Sequence, residues 1–235
     1  MKKLIKVLDS DMQSPFRNMP YELNKKYACE DFDDDRNISC SNGFYATDWD
    51  GLCYSYRQGK RIFECVVSGK SVEYDQFKRR YENIELIKEI SIDEAKEALK
   101  KISNDGIDYY HASFPIIPLY GNAKNVTERE IQLLHQWSSI RASVWASILD
   151  SILDSIRDSI RDSVWASVKD SVGGYISSLF PKIEKWKYIN HEKGENTFQS
   201  CIDLWNSGFV PSFDGKTWRL HSGENATIVY EEVYE

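Results

Sequence analysis

No stretch of this chain approaches the roughly 18 consecutive apolar residues that a membrane-spanning helix needs. The basic start Met1-Lys2-Lys3 leads only to Leu4-Ile5 before Lys6 interrupts, which is too short for a secretion signal. The expectation is a cytoplasmic protein that engages no membrane. Cysteine is sparse: Cys29, Cys40, Cys53, Cys65 and Cys201 include no Cys-x-x-Cys pair. They read as reduced thiols rather than a zinc site or a disulfide framework. His111, His135, His191 and His221 lie apart without metal-ligand spacing, so no metal is expected. No glycine-rich phosphate loop occurs, and no cofactor is expected. Basic charge is not in excess. Lys plus Arg number 30 against 37 Asp plus Glu, for a net charge of −7. That balance and the lack of a basic arm argue against nucleic acid as a partner.

The acidic run Glu30, Asp31, Asp33, Asp34, Asp35 is the densest charge cluster. Counted from Asp31, an EF-hand loop needs Gly sixth and Glu twelfth, but Arg36 and Asn42 stand there. The run reads as a solvated loop.

Residues 1–90 read as strands and turns. Leu4 to Leu8, Phe44 to Thr47 after the Asn42-Gly43 turn signal, Arg61 to Ser68 closed by Gly69, and Glu85 to Ile90 are the extended segments. Ser91-Ile92-Asp93-Glu94 is a capping box that opens a helix over about 91–102. Thr127-Glu128-Arg129-Glu130 repeats that signal, with Val126 and Ile131 placed as a hydrophobic staple.

The most specific feature follows. Ile or Val recurs every fourth residue at Ile140, Val144, Ile148, Ile152, Ile156, Ile160, Val164, Val168, Val172 and Ile176. The unit is Ser-(Ile/Val)-x-(Ala/Asp), and neither Pro nor Gly occurs from 139 to 172. In a helix, four residues turn about 400°, so the stripe advances about 40° per unit and no single flat surface covers it. The reading is a long central α-helix built from tetrapeptide repeats, held by packing because Ser, Ile, Val and Asp are weak helix formers. A β-solenoid with one tetrad per side is the alternative. Gly173-Gly174 marks the end of the array or a kink, and Pro181 closes the region. Trp145 and Trp165 join the Ile and Val residues as the expected interaction surface.

Residues 182–235 read as a short helix ended by Gly208, then a hairpin from Phe209 to Leu220 around Asp214-Gly215, and a third strand from Ala226 to Tyr230. Trp186, Trp205 and Trp218 supply its core. The fold class expected is therefore α+β in three parts: a β-rich N-terminal domain (1–126), the repeat helix (127–181), and a small aromatic-rich α/β hairpin domain (182–235).

Ile5-Lys6-Val7-Leu8-Asp9-Ser10-Asp11-Met12, Tyr21-Glu22, Cys40-Ser41-Asn42-Gly43-Phe44-Tyr45-Ala46 and Phe63-Glu64-Cys65-Val66-Val67-Ser68-Gly69 resemble an uncharacterised domain of bacterial and phage proteins. That domain often precedes short-period repeat arrays. The resemblance covers about residues 1–100 and implies a phage or prophage setting, hence the host-cell cytoplasm, but no activity. A weaker resemblance, carried by Gly43 to Thr47 with Tyr54, Tyr56 and Val66 to Gly69, is to an ADP-ribosyltransferase core. It implies a NAD-using enzyme in which Tyr45 and Tyr56 stack on nicotinamide and Glu64 or Glu89 is the acid. The primary expectation is non-enzymatic. It is an assembly protein that forms a homo-oligomer, or binds a host protein, through the repeats. A small nucleotide held in an oligomer's pocket is the further alternative.

Overall fold

A computed structural model describes residues 2–15, 17–38, 40–57, 59–73, 79–102, 106–140, 171–186 and 191–233. They fall into two compact units, Met1–Ser103 and Asn104–Glu235.

The N-terminal unit contains β1 (Lys2–Leu8), β2 (Lys26–Ala28), β3 (Phe44–Ala46), α1 (Leu52–Ser55), β4 (Arg61–Glu73), β5 (Arg79–Ile90) and α2 (Ile92–Leu99). All pairings between named strands are antiparallel, in the order β1-β4-β5-β2, and β3 also pairs with β5. Just past β3, Thr47 exchanges both backbone hydrogen bonds with Ile5, at 2.7 and 2.9 Å. This joins β3 to β1 and curls β1-β4-β5-β3 into a small closed barrel. Closure needs bending, and β4 supplies it through register shifts at Glu64/Cys65 and Ser68/Ser71. Gly69 lies at the second shift with φ +79°, where an added Cβ would meet Glu82 Oε2 at 2.2 Å. The glycine therefore bends the strand; it does not end it as the sequence suggested.

Strand alternation sends Leu4, Phe63, Cys65, Val67, Phe44, Tyr81, Ile84 and Leu86 into one core with Tyr21. Lys6 points the same way as Leu4 and Leu8 and is only 7 % exposed. Its Nζ donates to Tyr45 O at 2.8 Å and stands 5.2 Å from the Tyr21 ring centroid. Outside the barrel, α2 begins with the expected capping box: Ser91 Oγ accepts from Glu94 N (3.1 Å) and Glu94 Oε2 from Ser91 N (3.0 Å). Turns rather than helix follow Leu99.

The C-terminal unit contains α3 (Tyr109–Ser113), α4 (Glu128–Ile140), α5 (171–178), α6 (Gln199–Ser207), β6 (Phe209–Phe213), β7 (Thr217–Ser222) and β8 (Thr227–Val233). The three strands form one antiparallel sheet, β6-β7-β8. Gly208, with φ +90°, ends α6 in the left-handed cap that glycine favours. At the start of α4 the capping is one-sided. The Glu130 carboxylate accepts from both Thr127 N (3.0 Å) and the Thr127 hydroxyl, so that hydroxyl donates to the carboxylate.

The long central helix is not found. The longest helix among the described residues is α4, with 13 residues, and the chain is a small β-rich α+β protein. The reason lies in the flanks of the array. A Cβ on Gly174 would fall 2.5 Å from Trp137 Cη2, so this ring lies directly on the backbone of α5. One straight helix from 137 to 174 would put about 55 Å between those residues. Both are core residues: Trp137, Val172, Tyr175, Ile176 and Trp205 are each at most 2 % exposed. Tyr175 stacks on Trp205 (5.0 Å, 11°) and donates its phenol hydrogen to His111 O at 3.0 Å. Gly173-Gly174 thus sits inside a helix, tolerated because Trp137 takes the space of a side chain. The repeats at 141–170, whether helical or solenoidal, lie outside the described residues.

Two stability predictions follow from these cores. Burial lowers the Lys6 pKa from 10.5 to about 8. Between those values the unfolded chain binds the proton that the folded chain has released, so rising pH favours the fold. Against Lys6→Met, the wild type should gain on the order of 3 kcal/mol from about pH 8 to about 10.5. Urea melts of both proteins measure this, and parallel pH profiles would refute it. Gly174→Val should cost about 1–3 kcal/mol by overpacking against Trp137, read as a lower urea midpoint.

Candidate functional site

The residues singled out for transferase chemistry are spread around the barrel. Tyr45 is on β3, where its phenol donates to Ser41 O at 3.2 Å and meets Arg80 Nη1 at 3.3 Å. Glu64 is on β4 and is paired with Lys3 at 2.9 Å. β5 runs between those two strands. Tyr56 caps the C-terminus of α1, and burial raises its phenol pKa. Glu89, on β5, forms a two-point bridge with Arg61 at 2.8 and 2.6 Å, and this hydrogen bonding lowers its pKa.

The acidic run is tied into its own loop. Asp33 accepts from the Ser41 hydroxyl, which lowers its pKa. Asp31 accepts from Asn42 Nδ2 (2.6 Å), and Asp35 from Asn37 N (2.9 Å). The loop presents the carbonyls of Asp35 (2.8 Å) and Ile38 (3.0 Å) to Arg80, whose guanidinium is buried. No metal-holding cluster of His, Cys, Asp or Glu occurs among the described residues.

Of the proposed interaction residues, Ile140 ends α4 and is half-buried. Val172 and Ile176 belong to the core of the C-terminal unit. Val144, Trp145, Ile148, Ile152, Ile156, Ile160, Val164, Trp165 and Val168 lie outside the described residues.

The fold brings together two constellations that the sequence did not disclose. On the C-terminal sheet, Ser212 Oγ lies 2.8 Å from His221 Nε2 and His221 Nδ1 lies 3.1 Å from Ala226 O. A carbonyl can only accept, so Nδ1 carries the hydrogen and Nε2 accepts from Ser212. This is the order of a nucleophile, a base and an orienting group. Ser212 is only 2 % exposed, so the pair works as a buried clamp between β6 and the β7–β8 turn.

The second constellation is a groove of about 440 Å³ where β4 and β5 continue beyond the bulge. Val67, Ser68, Gly69, Ser71 and Val72 line it from β4, and Tyr81, paired with Ser71, lines it from β5. Arg79 and Glu73 complete it, joined Nε to Oε1 at 2.9 Å. Arg79 Nη1 also bonds Asp48, so two carboxylates offset one guanidinium. The hydroxyls of Ser68, Ser71 and Tyr81 make no hydrogen bond among the described residues, although Tyr81 is 8 % exposed. Burial raises the Tyr81 pKa against the pull of Arg79, so the phenol keeps its proton. In the sequence, Ser68-Gly69 reads as a strand end, and Arg79 to Asn83 precede the next extended segment, Glu85 to Ile90. The groove appears only when those segments pair.

Neither a known protein family, nor a curated protein, nor a solved structure matches the chain. No helix among the described residues is long and apolar enough to cross a membrane.

Burial lowers the His221 pKa below its usual 6.5. Acidification through that region protonates the unfolded chain first, so the C-terminal unit should lose stability as pH falls below about 6.5. The loss should be smaller in His221→Gln. Urea midpoints of both proteins at neutral and mildly acid pH provide the measurement.

Proposed function

We propose that this chain is a non-enzymatic assembly protein that self-associates through the Ile/Val tetrads between its two anchored flanks. The observation that carries the reading is the contact of Trp137 with Gly174. It holds the two flanks of the array together in one core. Seven Ile or Val residues from Val144 to Val168, with Trp145, Leu149, Leu153 and Trp165, lie between those flanks in the sequence. Apolar side chains repeated at this density gain by burial against another surface. Charge does not oppose a homotypic contact, because residues 141–170 carry four basic and five acidic side chains.

Light scattering tests this on the full chain and on a variant in which a short Gly/Ser linker replaces residues 141–170. The closeness of the flanks allows that replacement. The expected result is a full chain that associates across the micromolar range and a monomeric variant with an unchanged urea midpoint. A monomeric full chain, or a variant that associates as strongly, overturns the proposal.

A further inference from the structure

The groove between the far arms of β4 and β5 is lined by residues of the N-terminal unit alone. We propose that it is a binding site for a neutral polyhydroxylated ligand, a mono- or disaccharide. Its volume of about 440 Å³ falls within the range of small-ligand pockets, roughly 300–1,000 Å³. The polar inventory sets the ligand class. Ser68, Ser71 and Tyr81 offer three hydroxyls with no partner among the described residues, and each can both donate and accept. Tyr81 carries its free phenol on an otherwise buried residue, which fixes that group by packing before any ligand arrives.

The charges among the described residues disfavour the obvious competitors. Arg79 is the guanidinium of the groove, and it is already held by Glu73 and Asp48. A phosphate or carboxylate would meet two carboxylates for one cation, so anions, nucleotides included, are disfavoured. A neutral polyol meets no such penalty. Its vicinal hydroxyls can donate to the half-free Glu73 carboxylate and exchange hydrogen bonds with the three protein hydroxyls. The β4 register shift between Ser68 and Ser71 falls within the lining of this groove.

The test uses the full chain and amide chemical-shift titration with neutral mono- and disaccharides, with glucose 6-phosphate and AMP as anionic probes. At least one neutral sugar should shift the amides of Ser68, Ser71 and Val72 in a saturable way. The phosphorylated probes should bind more weakly than the neutral sugar. Tyr81→Phe keeps the ring and Ser71→Ala keeps the bulge. Each should weaken binding by about tenfold, the size of one lost hydrogen bond, with the melting midpoint unchanged. The proposal falls if no neutral sugar binds at millimolar concentration, if only the anionic probes bind, or if neither substitution changes the affinity.

Discussion

The C-terminal unit depends on one contact, the Trp137 indole lying on the bare backbone of Gly174. Glycine inside a helix is unfavourable by about 1 kcal/mol relative to alanine. Here the missing side chain lets an aromatic ring fill the space between α4 and α5. Once that ring is seated, Tyr175 is in place to stack on Trp205, and its hydroxyl reaches the backbone of α3. The buried sulfur of Cys201 on α6 then lies 3.4 Å from Ser171 O. The same contact decides what the repeat array can be. Two residues 37 positions apart in sequence touch, so the tetrads between them are bounded by one core at both ends.

In the N-terminal unit the corresponding constraint is closure. A short strand, β3, must bond to β5 along one side and reach Ile5 of β1 through Thr47 on the other. Closure encloses Lys6 with Tyr21 and Cys65, and it needs two irregularities in β4. Those irregularities have a second consequence. At Ser68/Ser71 the arms of β4 and β5 continue past the bulge, and the groove forms there, where the core residues Val67 and Tyr81 meet Ser68, Ser71 and Glu73. Near that bend, the hydroxyls of Ser68, Ser71 and Tyr81 have no partner among the described residues.

Legibility followed the range over which each signal acts. The Ser91–Glu94 box, the Gly208 cap and the Asp214-Gly215 turn were readable because each involves residues a few positions apart. The β6–β7 hairpin falls where that turn marks it. Arg79-Arg80-Tyr81-Glu82-Asn83 was not readable as a strand, since its charged residues carry little β-propensity; pairing with β3 and β4 makes it one. Ser212 and His221 stand nine positions apart and meet only because β6 and β7 pair. Gly173-Gly174 reads locally as the end of the array or a kink, and its place inside α5 is set by packing against Trp137.

The sequence by itself determined the caps, the turns, the alternation that fills the barrel and the existence of a period-four array, because these rest on covalent geometry and short-range hydrogen bonding. Tertiary structure decided where β4 bends, that Trp137 and Gly174 are neighbours, and that Ser68, Ser71 and Tyr81 share one space. Those outcomes depend on steric fit between residues far apart along the chain, and no local propensity encodes such a fit.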